Sequence, residues 1–241
     1  MRNQLKEIFR SSQHEISFLS LLTNPHYLIR KALWRHVQKF SLKASGDVLD
    51  FGCGSKPYSR LFSNCASYVG VDIAISGHNH KVSKVDFYYD GKKLPFGDCT
   101  FDHIISVEVF EHLPNASDIM SEFKRVLRPG GTVFITTPFL YPEHEMPFDF
   151  FRYTTSGITQ LAHEGGFSIT SLVRTNQNLG SITQILSEEL FRFHKLQVNL
   201  LANILCLPLI LISNIFVLIT STIPVRKCRA FSNIVTQMTL K

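Results

Sequence analysis

The sequence predicts an α/β fold in which a mostly parallel β-sheet carries helices on both faces. Short apolar runs that suit buried strands alternate with segments of helical periodicity over residues 47–174. The first run, 47–51, leads into a glycine-rich turn, and the second, 68–71, is followed by the acidic residue Asp72. Parallel strands joined by helices bring their carboxyl ends to one edge of the sheet, where we expect a ligand site.

Each further element is bounded by turn or capping residues. Two short helices are predicted within 15–40, interrupted at Asn24-Pro25, and a turn at Arg128–Gly131 precedes the fifth strand. We divide the chain into a helical lead-in (1–45), a core (46–180), a helical apolar insertion (181–229) and a last strand (230–241). The remaining predicted strands are 82–88, 101–107, 132–137, 167–174 and 231–238, and the remaining helices are 116–127 and 154–164.

The overall charge and the cysteines limit the classes of partner. A net charge of +6 suits contact with anionic molecules, but the basic residues are scattered and form no arginine-rich arm, so we expect no nucleic acid. The five cysteines are odd in number and include no CxxC pair, which predicts neither a zinc site nor a disulfide framework. The polar first residues are unlike a secretion signal, and the expected compartment is the reducing cytoplasm.

The glycine-rich turn after the first strand has the chemistry of a nucleoside site. Gly52 and Gly54 let the backbone approach a ligand closely, and the Asp72 carboxylate can accept both ribose hydroxyl protons. Dinucleotide enzymes place a third glycine or alanine where this chain has Pro57, which lacks an amide donor for a pyrophosphate. Adenosine with a sulfonium and an amino acid tail therefore fits this turn better than NAD.

Four ordered runs resemble the successive motifs of class I S-adenosylmethionine-dependent methyltransferases. The resemblance covers residues 47–138 and implies a Rossmann-like methyltransferase fold, with a seven-stranded sheet whose C-terminal strand is antiparallel. It also implies that the cofactor is S-adenosyl-L-methionine. The runs are VLDFGCGSKPY, VGVDIA, DGKKLPFGDCTFDHIISVEVFEHLPN and EFKRVLRPGGTVFITTP.

The same resemblance assigns cofactor contacts to particular residues. Asp72 would hold the ribose, Asp90 would meet the adenine amino group with Gly91 beside it, and the run 108–112 would close the floor of the site. Two alternatives stay open: Asp90 as a turn former, and His112 as a brace for a loop. The implied cofactor-binding residues are Asp50, Gly52, Gly54, Asp72, Asp90, Gly91 and Glu108.

A loop dense in aromatic and ionisable residues, 138–154, follows the fifth strand on the side where an acceptor would enter. His144 is the candidate general base, and Glu143, Glu145 or Asp149 could orient it. Arg152 could bind an acidic substrate group. The alternative for Arg152 is a salt bridge with Asp149 that holds the loop. An HExxH zinc motif would need histidine at position 148, which is Phe148, so we expect no metal.

The pattern HExPxDFxRYT in this loop resembles methyltransferase-like proteins of bacterial surface-polysaccharide clusters. That resemblance implies a sugar hydroxyl, on a small molecule or a lipid-linked glycan, as the acceptor. A quinone or another lipid metabolite is an alternative acceptor. A non-catalytic nucleoside-binding protein attached to the membrane is the alternative from a different class, although the intact Gly52, Gly54 and Asp72 disfavour a degenerate site.

Residues 198–225 contain no charged side chain and precede a basic cluster, 226–229. The segment is long enough to cross a hydrocarbon core of about 30 Å, but Pro208 and three asparagines disfavour a span. We favour a helical hairpin that dips into the cytoplasmic leaflet and is flanked by the basic cluster. A buried or dimer-forming helical cap and a true span are the alternatives.

Overall fold

The computed structural model describes residues 24, 26–75, 83–177, 180–182, 184–186, 188–189, 208–209, 211–216, 218–219 and 230–241. The helix predicted before Asn24 and most of the segment 198–225 lie outside these ranges. Among the residues within them, no helix is both long and apolar enough to cross a lipid bilayer.

Seven strands form one sheet in the order β3-β2-β1-β4-β5-β7-β6. The predicted fold class is confirmed, because the sheet is mostly parallel and one strand runs antiparallel. The strands are β1 (Asp47–Phe51), β2 (Ser67–Ile73), β3 (Phe87–Tyr89), β4 (Phe101–Val107), β5 (Leu127–Pro138), β6 (Phe167–Gln177) and β7 (Phe231–Leu240).

The first strand lies at the centre of the parallel part. Asp50 is opposite Gly70 of β2 on one side and Ile105 of β4 on the other, so the carboxyl ends of these three strands meet at one edge. The last strand runs the other way, since Thr175 of β6 bonds to the carbonyl of Asn233 while the Lys241 amide bonds back to Gly166. The sheet thus has the predicted antiparallel C-terminal strand.

The predicted turn at 128–131 is part of β5. Phe101 pairs with Leu127 but His103 pairs with Thr132, so the extra residues of β5 form an irregularity inside the strand. A Cβ atom on Gly131 would lie 2.9 Å from the Arg128 carbonyl oxygen and 3.0 Å from that of Asp102. Glycine at position 131 permits a close approach of two backbones. In the sequence alone, the same glycine predicts a turn.

Within the described ranges 26–75 and 83–177, the α-helices are α1 (Tyr27–Ser41), α2 (Ala116–Val126) and α3 (Thr155–Glu164). Thr154 caps α3, because its hydroxyl accepts a bond from the Gly157 amide. The inward side of α2 is completely buried at Phe123, whose ring packs edge-on against Phe51 of β1 at 5.0 Å and against Phe110 at 5.9 Å. Aromatic packing therefore ties α2 to the strand that carries the glycine turn.

The chain divides into two compact units. The larger contains Leu33–Phe139, Glu143–Val173 and Ile234–Lys241, and all of the predicted cofactor-binding and catalytic residues lie in it. In the smaller unit, Leu218 packs against Tyr27 and Leu28, and the Asn214 side chain donates to the carbonyl of Asn24. The smaller unit thus joins part of the apolar segment to the beginning of α1.

Candidate active site

The turn after β1 requires glycine for two reasons. Gly52 and Gly54 have positive φ angles of 71° and 48°, a region that other residues rarely adopt. A Cβ atom on Gly52 would also lie 2.4 Å from Val109 Cγ2. The turn is therefore fixed by backbone conformation and by packing together.

The Asp72 carboxylate lies at the carboxyl end of β2 and is oriented by backbone amides. Its Oδ2 accepts a bond from the Gly54 amide at 2.9 Å, and its Oδ1 accepts one from the Ile73 amide at 2.8 Å. Each carboxylate oxygen can accept a further hydrogen bond. This arrangement fits a nucleoside whose ribose hydroxyls donate to Asp72, and the open backbone turn beside it fits the rest of such a molecule.

Asp50 lies beneath this turn. Its side chain is buried, and Oδ2 accepts a bond from the Tyr68 hydroxyl at 2.6 Å. Burial raises the pKa of Asp50 to about 7, because no water solvates its ionised form. Asp50 thus links β1 to β2 through Tyr68, and its direct contact with the cofactor stays a prediction.

The structure places Asp90 and Gly91 in a turn after β3. Asp90 Oδ1 accepts bonds from the amides of Lys92 and Lys93, both at 2.9 Å, and these bonds lower the pKa of Asp90. Gly91 has a φ of 81°, and its carbonyl accepts a bond from the Asn115 side chain. Asp90 therefore forms the turn, as the alternative proposed, and its contact with adenine stays a prediction.

Glu108 ends β4 at the same edge of the sheet. It has a positive φ of 56°, and its Oε1 accepts a bond from the Thr136 hydroxyl at 2.6 Å. Backbone strain of this kind in a residue other than glycine is held by surrounding contacts and is common at functional sites. Asp72 and Glu108 thus supply two carboxylates to the edge predicted to hold the cofactor.

Sequence reasoning missed the ion pair of Lys56 and Asp86 in this region. Asp86 Oδ2 accepts bonds from the Lys56 ammonium and from the Gly70 amide, and so links the loop after the glycine turn to β2. The two residues are thirty positions apart, and no local pattern in the sequence signals such a pair.

On the acceptor side, Arg152 binds Asp149. Two of its nitrogens donate to the two oxygens of Asp149, at 2.6 and 2.7 Å, and the Asp149 side chain is only 1% exposed. Although burial opposes ionisation, these bonds and one from the His144 amide lower the pKa of Asp149 to about 2. The ion pair of Arg152 with Asp149 therefore holds the loop, as the alternative for Arg152 predicted. A contact of Arg152 with an acidic substrate group stays a prediction.

His144 lies against this ion pair. Its ring Nδ1 is 3.2 Å from Asp149 Oδ2, and its ring packs edge-on against His112 at 4.8 Å between centroids. Burial, followed by the nearby His112, lowers the pKa of His144. The imidazole is therefore neutral at pH 7 and has a nitrogen lone pair to offer.

Glu111 is the residue whose environment the sequence does not reveal. Its side chain is fully buried, and within the described part of the chain neither carboxylate oxygen has a hydrogen-bond partner. Burial, together with the charge of Glu108, raises the pKa of Glu111 well above its usual value. Its backbone carbonyl accepts bonds from the amides of Phe150 and Phe151. These bonds tie the run 108–112 to the loop 138–154, which we name the acceptor loop.

His112 braces the same loop, as the alternative proposed. Its Nδ1 lies 2.7 Å from the Phe148 carbonyl oxygen, and its Nε2 lies 3.8 Å from Glu111 Oε1. We name Glu111, His112 and His144 the EHH cluster. It connects the end of β4 with the loop after β5, and it lies wholly within the larger unit.

Comparison with known proteins identifies the class of protein that this fold and site define. A family model described as a methyltransferase domain matches residues 25–180, well over half of the chain. The chain therefore belongs to the methyltransferase domain family, in its class I form, with S-adenosyl-L-methionine as cofactor. A solved S-adenosylmethionine-dependent methyltransferase from Mesorhizobium loti has the same fold, with a TM-score of 0.53 and 12% identity over 91% of this chain and 99% of that chain.

Two characterised relatives are similar over a shorter region. A phthiotriol/phenolphthiotriol dimycocerosates methyltransferase of Mycobacterium ulcerans is 34% identical over 41% of this chain and 39% of its own length. A ubiquinone biosynthesis O-methyltransferase of Rhizobium etli is 34% identical over 37% of this chain and 40% of its own length. The chain thus aligns with less than half of each of these relatives.

Replacing Asp72 by Asn should weaken cofactor binding. The substitution keeps the shape of the side chain but removes the charge and one of the two acceptor oxygens. We expect the affinity for S-adenosylhomocysteine, measured by titration calorimetry, to fall at least about 10-fold, as for loss of a hydrogen bond to a charged group. Asp118→Asn, an exposed position on α2, is the matched control. Equal affinities for the two variants would contradict the assignment of Asp72.

Asp50 should make stability depend on pH. The folded protein holds a proton on Asp50 up to a pKa of about 7, whereas the unfolded chain releases it near 3.8. The free energy of unfolding should therefore fall as pH rises through this window. Asp50→Asn should remove this contribution and raise stability at pH 8 relative to wild type. Urea unfolding at several pH values, with Asp118→Asn as control, measures the slope, and an unchanged slope would reject the buried acid.

Proposed function

We propose that the protein transfers the methyl group of S-adenosylmethionine to a hydroxyl group of a small or lipid-linked acceptor. The observation that carries this proposal is the pairing of His144 with the buried Asp149, at 3.2 Å. A neutral imidazole oriented by a fixed carboxylate is the usual arrangement of a general base. In the run 108–112, Glu108 lies at the predicted cofactor edge and Glu111 meets the acceptor loop, so the run joins the two sides.

The chain's residues then have separate tasks in an in-line displacement. When bound, S-adenosylmethionine supplies a methyl group on a positively charged sulfur. The acceptor oxygen forms the new C–O bond as the electron pair of the S–C bond returns to sulfur, and the hydroxyl proton passes to His144. Asp149 orients the His144 ring and stabilises its charged form, and Arg152 holds Asp149 in place.

A sugar hydroxyl, for example on a lipid-linked glycan, is the acceptor that the motif of the loop favours. A second candidate, a quinone or another lipid metabolite, is favoured by apolar side chains on the same loop: Met146, Phe150 and Phe151 are 61%, 45% and 43% exposed. The names of the two relatives, with a lipid and a quinone pathway, support an acceptor with a large apolar part. A lipid-linked glycan combines both features.

The smaller unit supports contact with a membrane. Five exposed apolar residues among its described helical residues 208–209, 211–216 and 218–219 are spaced at helical intervals of three and four, which places them on one face. In sequence, this stretch is followed by the basic cluster 226–229, which suits anionic headgroups. We therefore infer a cytoplasmic protein that binds the cytoplasmic face of a membrane without spanning it. The five residues are Leu209, Ile212, Ile215, Phe216 and Ile219.

Replacing His144 by Ala should separate catalysis from cofactor binding. We expect methyl transfer to slow at least about 100-fold, the usual contribution of an acid or base group, while S-adenosylhomocysteine binds as in wild type. The assay incubates purified protein and labelled S-adenosylmethionine with lipid and glycan fractions and identifies the labelled product. His163→Ala, an exposed histidine on α3, is the control. Wild-type turnover by the His144 variant would remove this residue from the reaction.

The exposed face should bind anionic vesicles. We expect the protein to sediment with phosphatidylglycerol-containing vesicles, and Ile212→Asp, at a position 61% exposed, to weaken this binding at least about 10-fold by placing a charge in the interface. The matched control is Ile75→Asp, which is 77% exposed and lies in the larger unit. Equal binding by the two variants would show that this face does not meet the membrane.

A further inference from the structure

We propose that the EHH cluster binds a divalent transition-metal cation that holds the oxygen of the acceptor. The role of the cation rests on the proposed methyl transfer, whereas its binding does not. The sequence predicts no metal, because an HExxH motif would need histidine where the chain has Phe148. The cluster instead brings together two adjacent residues after β4, Glu111 and His112, and one from the loop after β5, His144.

The distances suit a single ion. One ligand atom from each of the three residues lies within 4.8 Å of the others, and Glu111 Oε1 is 3.8 Å from His112 Nε2. Nitrogen and oxygen ligands bind zinc at about 2.0–2.2 Å, and in the tetrahedral geometry that zinc prefers two ligand atoms lie about 3.4 Å apart. Side-chain rotations that shorten the longest separation by about 1.4 Å would close the cluster around a cation.

The buried carboxylate of Glu111 independently indicates a ligand. Both of its oxygens are inaccessible, and neither has a hydrogen-bond partner among the described residues. Leaving a buried carboxyl group without a partner is costly, and native proteins rarely do so. Arg152 lies in the electrostatic surroundings of Glu111, but its guanidinium is bound to Asp149. A cation in the cluster would supply the missing partner.

Both histidines have the outer contacts that metal ligands use. His112 Nδ1 can donate to the Phe148 carbonyl at 2.7 Å, which leaves its Nε2 to face Glu111. His144 Nδ1 lies 3.2 Å from the Asp149 carboxylate outside hydrogen-bond geometry, and a rotation of the ring would let this nitrogen donate to Asp149 and leave the lone pair on the other. A second partner of this kind orients a coordinating imidazole and increases its basicity.

The donor set indicates the class of metal. Two imidazoles and one carboxylate suit zinc and its first-row neighbours, whereas magnesium and calcium prefer oxygen ligands. Three protein ligands leave a position open for the acceptor oxygen. A hydroxyl bound to the cation has a lowered pKa and releases its proton to water. His144 would then bind the cation at the nitrogen that otherwise accepts this proton.

Metal binding is tested on the full chain without any acceptor. After treatment with a chelator, the protein is titrated with Zn²⁺ in a calorimeter and with Co²⁺ in a spectrophotometer. We expect one cation per chain, visible d–d bands with Co²⁺, and affinity at least about 10-fold lower in Glu111→Gln and in His112→Ala. Glu164→Gln and His163→Ala, both exposed on α3, should bind as wild type. S-adenosylhomocysteine titrations verify that each variant is folded.

The outcomes separate this inference from the proposed function. The metal site would be overturned by the absence of Zn²⁺ binding, or by equal binding in Glu111→Gln and Glu164→Gln. A sulfur-to-cobalt absorption band would also overturn it, because the ion would then lie on a cysteine. If the chelated protein still transfers methyl groups and His144→Ala does not, the role of the cation in the reaction is overturned and the proposed function stands. If the metal binds but no hydroxyl acceptor is ever labelled, the site stands and the proposed function fails.

Discussion

The hydrogen bond from the Gly54 amide to the Asp72 carboxylate joins the ends of β1 and β2 at the edge where the cofactor is predicted to bind. It can form only because the turn after β1 follows a left-handed backbone path, which Gly52 and Gly54 adopt without strain. The parallel pairing of β1 with β2 brings the two ends together in the first place. Local backbone freedom and sheet register thus combine to present a carboxylate in a fixed orientation.

The second constraint is the continuity of residues 108–112. Glu108 is held by Thr136 of β5, and three residues later the Glu111 carbonyl anchors the acceptor loop through two amides. A short stretch of backbone therefore sets the relation between the two halves of the site. Methyl transfer requires such an arrangement, because the donor and acceptor atoms must be aligned within a fraction of an ångström.

The sequence predicted those features that depend on local pattern. The strand 47–51, the acidic end of β2 and the helix 116–126 follow from apolar periodicity and turn residues, and all were found. The turn at 128–131 was misread because two glycines inside a strand look like a break until the neighbouring strand is in view. The burial of Glu111 could not be predicted, because it depends on the loop 143–152 folding over it from a distant part of the chain.

The pairing of Arg152 with Asp149 has a consequence for substrate selection. The Arg152 guanidinium already donates two N–H groups to a buried carboxylate, so it attracts a further anion only weakly. Moving Arg152 away would leave the Asp149 charge buried and unpaired, which is costly. Under the proposed methyl transfer, acceptors are then selected by shape and by neutral polar contacts rather than by charge.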